Sequence, residues 1–263
     1  MQKILGYMRK AIDEYNMIED GDKIAVALSG GKDSFTLLLG LKNLQRFYPK
    51  KFDIIGVTIN PGFEFFDSSL IKDFCDKLDV PFFEEHSHAQ EIVFEIRKEK
   101  NPCSLCANLR RGALNTVAKR ESCNKIALGH HFDDVVETIL MGMLYGAQMQ
   151  TMMPKLHSTY HKGMQLIRPL YYVKEDDIIR WAKRNELDFI KCACKVTEKN
   201  AKSDSNGSKR AEMKDLLNQL RGVYDKVDMN IYNSTKNVNL NTLISYVKDG
   251  EVHHFMDDYE NKI

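Results

Sequence analysis

The sequence is defined first by what it lacks. No run of about 18 apolar residues occurs, so no membrane span is expected. The opening residues, Met1 to Lys10, hold neither a secretory apolar core nor a small-residue cleavage site, so a cytoplasmic location is expected. Neither sign of charge dominates: Lys and Arg number 38, Asp and Glu 37, a net charge of +1. Whole-molecule charge therefore does not predict nucleic-acid binding, and any basic surface has to be local. Six cysteines in 263 residues are too few for a disulfide framework, and none precedes Cys75. They read as reduced thiols, catalytic or metal-binding. No internal repeat is visible.

What is present is ordinary in bulk. The hydrophobic fraction is 43%, and a chain of this length can bury a core without staples. Length alone allows one large domain, or a domain plus an appendage.

One stretch organises the rest. Ile24 to Leu28 is a short apolar run, Ser29-Gly30-Gly31 breaks it, and Phe35 to Leu41 resumes at helical spacing. That is strand, glycine turn, helix. Such a junction binds anions, because unpaired N–H groups and the helix dipole face outward at the helix start. Two glycines admit a ligand close to the backbone. Ser29 and Ser34 can donate hydroxyl hydrogen bonds, Lys32 can pair with phosphate, and Asp33 can hold Mg²⁺. The spacing is neither Gly-x-x-x-x-Gly-Lys-Ser/Thr nor Gly-x-Gly-x-x-Gly. An ordinary strand-to-helix turn is the bland alternative.

Further strands are expected at Phe52 to Ile59, Val80 to Glu84, Lys125 to Gly129 and Leu187 to Lys191. Between them the spacing predicts helices, including 67–78, 107–120, 133–145 and 174–185. Alternation of this kind predicts an α/β fold: a parallel sheet of about five strands with helices on both faces. Ligands of such sheets bind beyond the carboxyl ends of strands, where the strand order switches. The expected division is an amphipathic helix over 1–20, a catalytic domain over 21–194, and a mobile polar loop with a small α-rich C-terminal extension over 195–263.

Cys103-Ser-Leu-Cys106 and Cys192-Ala-Cys194 form two close pairs. The residues alone allow a redox dithiol, a four-thiolate zinc site, or an iron–sulfur cluster on three thiolates with one iron open. Cys75 and Cys123 read as small buried hydrophobes. His130 and His131 are alternative zinc ligands, or back the loop at 129. Asp133 and Asp134 sit where they could cap the helix that follows. Arg110, Arg111, Lys119 and Arg120 form a solvated face or, with Lys155, contact phosphates. Met149, Met152 and Met153 read as packing.

Ser29-Gly-Gly-Lys-Asp-Ser34 resembles the PP-loop of the ATP pyrophosphatases, which cut ATP between the α and β phosphates. With it stand Cys103-Ser-Leu-Cys-Ala-Asn-Leu-Arg-Arg-Gly112, Ala127-Leu-Gly-His-His-Phe-Asp-Asp-Val-Val-Glu-Thr138, Pro154-Lys-Leu156, Ile167-Arg-Pro-Leu170, Tyr172-Val-Lys-Glu175 and Cys192. Together, from about residue 20 to about 195, they resemble the tRNA 2-thiocytidine biosynthesis family. The resemblance implies a PP-loop ATPase fold of the adenine nucleotide alpha hydrolase (HUP) type, ATP, Mg²⁺ and a [4Fe-4S] cluster. It implies a tRNA substrate, an anticodon-loop cytidine whose C2 oxygen is adenylated and then replaced by sulfur.

Carried over by motif, Ser29, Gly30, Gly31, Lys32, Asp33, Ser34, Ile59, Gly129 and His130 would bind nucleotide, and Asp33 and Asp134 would bind Mg²⁺. Lys32, Asp33, Arg110 and Asp134 would serve catalysis. Cys103, Cys106 and Cys192 would hold the cluster. The second pair is C-x-C where the family shows C-x-x-C, so Cys194 is the alternative third ligand. A sulfur donor such as a cysteine desulfurase and a homodimer are also implied, with no membrane. Two other readings remain: a PP-loop sulfurtransferase acting on tRNA uridine or a small molecule, and a non-catalytic, zinc-stapled nucleotide-binding protein.

Overall fold

The computed structural model describes residues 1–63, 66–87, 89–96, 102–158, 161–185, 209–257 and 259. Helix α1 (Gln2–Glu14) leads into strand β1 (Asp22–Ala27), and helix α2 (Lys32–Leu44) follows the glycine turn. Then come β2 (Phe52–Asn60), α3 (Ser69–Lys77), β3 (Phe82–His86) and a short π-helix (Glu91–Ile96). Next are α4 (Pro102–Arg120), β4 (Lys125–Ala127), α5 (Phe132–Gly146), β5 (Lys155–His157), β6 (Gln165–Ile167) and α6 (Glu175–Arg184). The C-terminal part holds α7 (Lys209–Val223), α8 (Val227–Ser234), β7 (Ser245–Lys248) and β8 (Glu251–His254).

The main sheet has six strands in the order β3-β2-β1-β4-β6-β5. All neighbours are parallel except β5, which returns antiparallel on β6. The expected parallel sheet of about five strands is β3, β2, β1, β4 and β6, and β5 adds one short antiparallel edge. The strand expected at 187–191 lies outside the described residues, as does the loop expected from 195 to 208.

The central strands are apolar on both faces because both faces are covered. Ile24, Val26 and Ile54 join a core shared with α1, α2, α3, α5 and α6. Ala25, Ile55, Val57 and Ile59 point the other way, against Leu114, Val117 and Ala118 of α4. Gly56 has a packing role: a Cβ there would lie 2.8 Å from the Cys75 sulfur and from Leu28 Cδ1. Its absence lets α3 seat on β2.

Strand order reverses at β1. The chain runs outward from β1 through β2 to β3, then returns to place β4 on the opposite side of β1. The loops after β1 and β4 therefore diverge around one crevice. At the amino ends of the same two strands, Asp22 and Lys125 form a buried ion pair at 2.6 Å. Asp22 also accepts from the Asn124 side chain at 2.7 Å and from the Glu19 amide at 2.6 Å. These bonds fix the β1–β4 register.

The N-terminal helix ends at Glu14 rather than near residue 20, yet Met17 and Ile18 beyond it remain fully buried. Helices α7 and α8 join the main core through Met213, Leu217 and Tyr232. Three hydroxyls tie α8 to the end of α1: Tyr15 lies 2.5 Å from Tyr172 and 2.8 Å from Tyr232, and Tyr172 lies 3.1 Å from Tyr232. The helical C-terminal extension also carries a hairpin the sequence reading did not foresee. Its turn, Asp249-Gly250, has φ of +54° and +88°, the pattern of a type I′ turn.

Removing one partner of a buried ion pair strands the other charge. Asp22→Ala is expected to lower unfolding free energy by about 3–5 kcal/mol, read from urea denaturation. A loss under about 1 kcal/mol would mean that the pair does not hold the register.

Candidate active site

The turn after β1 is shaped from within. Gly30 has φ +76°, a left-handed backbone that favours glycine, and Gly31 sits at the N-cap of α2. The Ser29 amide donates to the Ser34 hydroxyl at 3.3 Å, and that hydroxyl donates to the Gly31 carbonyl at 2.9 Å. Ser34 thus closes the loop and is itself buried. The first amides of α2 have no partner one turn earlier, so the loop is an anion cradle.

Lys32 lies between two carboxylates, 3.1 Å from Asp33 Oδ2 and 3.0 Å from Glu175 Oε1. Glu175 opens α6, and its second oxygen is 2.6 Å from the Lys214 ammonium of α7. Burial opposes ionisation of Glu175, but Lys214 and Lys32 outweigh it and hold its pKa at about 2. Burial likewise works against charge on Lys32, and Asp33 and Glu175 reverse it, raising its pKa.

The loop after β4 meets this one. A Cβ on Gly129 would lie 3.2 Å from the Asp33 carbonyl carbon and 3.2 Å from the Ser34 amide nitrogen. Only glycine lets the two backbones approach so closely. Beyond it, His131 caps α5: its Nδ1 accepts from the Asp134 amide at 3.4 Å, and its own amide donates to Asp134 Oδ2 at 2.9 Å. Because Nδ1 accepts, the neutral ring is assigned its proton on Nε2, which faces Asp33 Oδ1 at 3.9 Å. The sequence pointed to Asp133 or Asp134 as the cap. Asp134 instead completes the capping box, and Asp133 turns away. It accepts from the Glu175 amide at 2.7 Å and pairs with Arg221 at 2.6 Å.

Asp33 Oδ1 is buried and has no hydrogen-bond partner. An orphaned carboxylate oxygen beside an anion cradle suits a hard cation shared with phosphates. Among the described residues no group of three His, Cys, Asp or Glu side chains could hold a metal ion. Mg²⁺ on a polyphosphate needs only one or two carboxylates.

A cavity of about 440 Å³ opens beside the loop. Ser29, Ile59, Arg110 and His130, four of the residues singled out in the sequence, line it together with Arg111 and Arg168. Leu28, Val57, Leu114, Leu128 and Leu166 supply apolar wall. The cavity is therefore apolar on one part and cationic on another. Arg168 is buried, with no carboxylate paired to it among the described residues. Its Nε donates to His130 Nδ1 at 3.4 Å, and Nη1 donates to the Met153 carbonyl. Burial first, then the Arg168 charge, pushes His130 down to about 4, so this ring is neutral at physiological pH.

Helix α4 begins at Pro102, five residues before the expected start, because proline fits the first helical turn. Both Cys103 and Cys106 thus belong to its opening turns. Cys106 is half-buried, and its neighbour Ala107 and the next-turn Arg110 both line the cavity. The Cys103 side chain, Cys192 and Cys194 lie outside the described residues. Cys75 and Cys123 are buried, and burial pushes their thiols up to about 12 and about 11. The basic residues expected to act together separate: Arg120 pairs with Glu85 and Glu121, while Lys155 bonds the Asn16 carbonyl at 2.6 Å.

Sequence reasoning gave no role to Arg168, Glu175, Arg210 or Lys214. Arg168 and Glu175 stood inside the quoted stretches Ile167-Arg-Pro-Leu170 and Tyr172-Val-Lys-Glu175, which gave neither a role of its own. Arg210 reaches Asp134 at 3.3 Å and Glu137 at 3.6 Å across a long chain separation that no spacing rule detects.

Residues 5–200 match the PP-loop domain family. The tRNA-cytidine(32) 2-sulfurtransferase of Burkholderia multivorans is 40% identical over 238 residues, covering 90% of this chain and 70% of that protein. The protein of the same name from Paraburkholderia xenovorans is 40% identical over 230 residues, covering 87% and 66%. That of Geobacter metallireducens is 37% identical over 241 residues, covering 90% of each. The chain thus spans about two thirds of the length of the first two relatives. Among solved structures, the U34-tRNA thiolase NcsA from Methanococcus maripaludis with its [4Fe-4S] cluster shares the fold. The TM-score is 0.71 at 24% identity, covering 95% of this chain and 84% of that one.

Two outcomes are expected. Gly129→Ala forces backbone apart where neither side can yield, and should cost about 1–3 kcal/mol in thermal or urea unfolding. Mass spectrometry after brief iodoacetamide treatment of the native protein should find Cys75 and Cys123 unmodified. Their rapid labelling would contradict the burial described above.

Proposed function

We propose a function from the premise that the chain belongs to the PP-loop domain family and, within it, to the tRNA-cytidine(32) 2-sulfurtransferases. It is an ATP-dependent tRNA thiolase that converts an anticodon-loop cytidine to 2-thiocytidine. The observation that carries this reading is the meeting of the two strand-end loops. They bring an anion cradle, the Lys32 ammonium and the unpartnered Asp33 oxygen beside a part-apolar, part-arginine cavity.

The chemistry follows from the leaving group. An amide-like carbonyl oxygen leaves poorly. In the first step the cytidine C2 oxygen attacks the ATP α-phosphorus and pyrophosphate departs. In the second a sulfur nucleophile attacks C2 and AMP departs. Charge accumulates on pyrophosphate in the first step, where Lys32 and the α2 amides stabilise it. Asp33 and Asp134 would hold Mg²⁺, which when bound would add positive charge there. Arg110, with Arg111 and Arg168, suits the phosphate next to the reacting oxygen. Ile59 and the leucines around it suit a base. Neutral His130 backs the loop without adding charge.

Two cysteines three residues apart in the opening turns of α4 suit an iron–sulfur cluster, since a helix start favours thiolate. Cys103, Cys106 and Cys192 would hold it, with Cys194 as the alternative third ligand. When bound, it would supply an iron site able to carry the sulfur. A cysteine desulfurase as sulfur donor and a homodimer complete the proposal. Among the described residues no helix is long and apolar enough to cross a membrane, which fits a cytoplasmic site of action.

Anaerobically purified protein should contain about four irons per chain with matching sulfide. Cys103→Ala, Cys106→Ala and Cys192→Ala should each abolish it. Pyrophosphate release from ATP should require tRNA, and Asp33→Ala should slow it roughly a hundredfold or more. Tight zinc in place of iron, with no tRNA-dependent pyrophosphate release, would overturn the proposal in favour of a metal-stapled binding protein.

A further inference from the structure

Helix α7 lies beyond the family-matched segment, yet its cations reach the carboxylates around the loop. Arg210 touches Asp134 and Glu137, Arg221 touches Asp133, and Lys214 touches Glu175. Lys214 differs from the others because its partner is shared with the loop itself. One oxygen of Glu175 is 3.0 Å from Lys32, and the other is 2.6 Å from Lys214.

Lys32 is the ammonium of the anion cradle, and here two carboxylates already neutralise it. A polyphosphate has to draw it away from them. Glu175 is 14% exposed, so losing Lys32 would leave a largely buried carboxylate without a counterion, which is costly. Lys214 removes that cost, because it stays on the far oxygen whether or not Lys32 departs. Its own side chain is 47% exposed, so it is not itself buried in the cradle.

We propose that Glu175 and Lys214 are positioning residues that form a counterion switch for Lys32: Glu175 holds the lysine while the cradle is empty, and Lys214 neutralises Glu175 when a polyphosphate takes the lysine over. This rests on the reading of the loop as an ATP site. It gives the C-terminal extension a part in nucleotide binding without touching nucleotide.

The test is a double-mutant cycle on the full chain. Binding of Mg²⁺ with the α,β-methylene analogue of ATP is measured by calorimetry for wild type, Lys214→Met, Glu175→Gln and the double variant. Lys214→Met should weaken binding roughly tenfold, and Lys214→Arg should restore it. Glu175→Gln should bind as tightly as wild type or tighter, since Lys32 is no longer held. In that background Lys214→Met should change affinity less than about twofold.

Equal weakening in both backgrounds would overturn the switch, because it would make Lys214 a direct phosphate ligand or a remote charge. No weakening in the wild-type background would overturn it as well. Lys214→Gln, with its melting temperature recorded, separates a binding effect from loss of the helix. Wild-type protein that binds neither the analogue nor pyrophosphate would overturn the ATP reading and the switch together. Wild-type binding with an unresponsive cycle would overturn the switch alone.

Discussion

The contact on which the site depends is the approach of Gly129 to the backbone of Asp33 and Ser34. A side chain at 129 would meet peptide atoms at 3.2 Å, so the ends of β1 and β4 converge only because that position has none. From this approach follow the others. The start of α5 lies against the start of α2, so His131 can face Asp33 while capping its own helix. Two helix starts then point their positive ends into one crevice. The sheet supplies the frame: β1 and β4 are neighbours at the point where strand order reverses, and a buried ion pair pins their far ends.

A crevice built on two helix starts attracts carboxylates as well as ligands, and this one has collected five: Asp33, Asp133, Asp134, Glu137 and Glu175. So dense a group repels itself unless cations are interleaved, and burial raises the pKa of Glu137, with Asp134 adding to the effect. Arg210, Lys214 and Arg221 supply those cations from α7. The chemistry of the loop and the charge balance that sustains it thus come from segments far apart in the sequence.

How much of this was legible in sequence follows the distance over which each interaction acts. The strand, glycine turn and helix around Ser29 were readable because each signal is local. So was the inertness of Cys75 and Cys123, which sit among apolar neighbours. The β5–β6 edge was not, since strands of three residues carry too little alternation to register. The helix expected from 107 starts at Pro102, which a first helical turn accepts, so the expected bounds left the cysteine pair outside α4. The Asp249-Gly250 turn was a readable hairpin signal that went unused. In the site, Ser29, Ile59, Arg110 and His130, named from separate stretches of the sequence, line one cavity. Of the two aspartates that could cap α5, Asp134 takes part in the capping box and Asp133 does not, while the N-cap itself is His131, a third neighbour with an acceptor. Glu175 and Lys214 are joined only by the tertiary fold.

The tyrosine triangle gives this architecture a schedule. Tyr15 leaves the ribosome well before its hydroxyl partners, Tyr172 and Tyr232, which come 157 and 217 residues later. At about 5–20 residues per second, roughly ten to forty seconds separate Tyr15 from Tyr232. Between the synthesis of residue 34 and that of residue 209 the nascent chain carries the glycine loop without the helix that balances its acidic neighbours. Translation therefore supplies the loop's counterions long after the loop itself, and a chain stalled before residue 209 holds the motif without them.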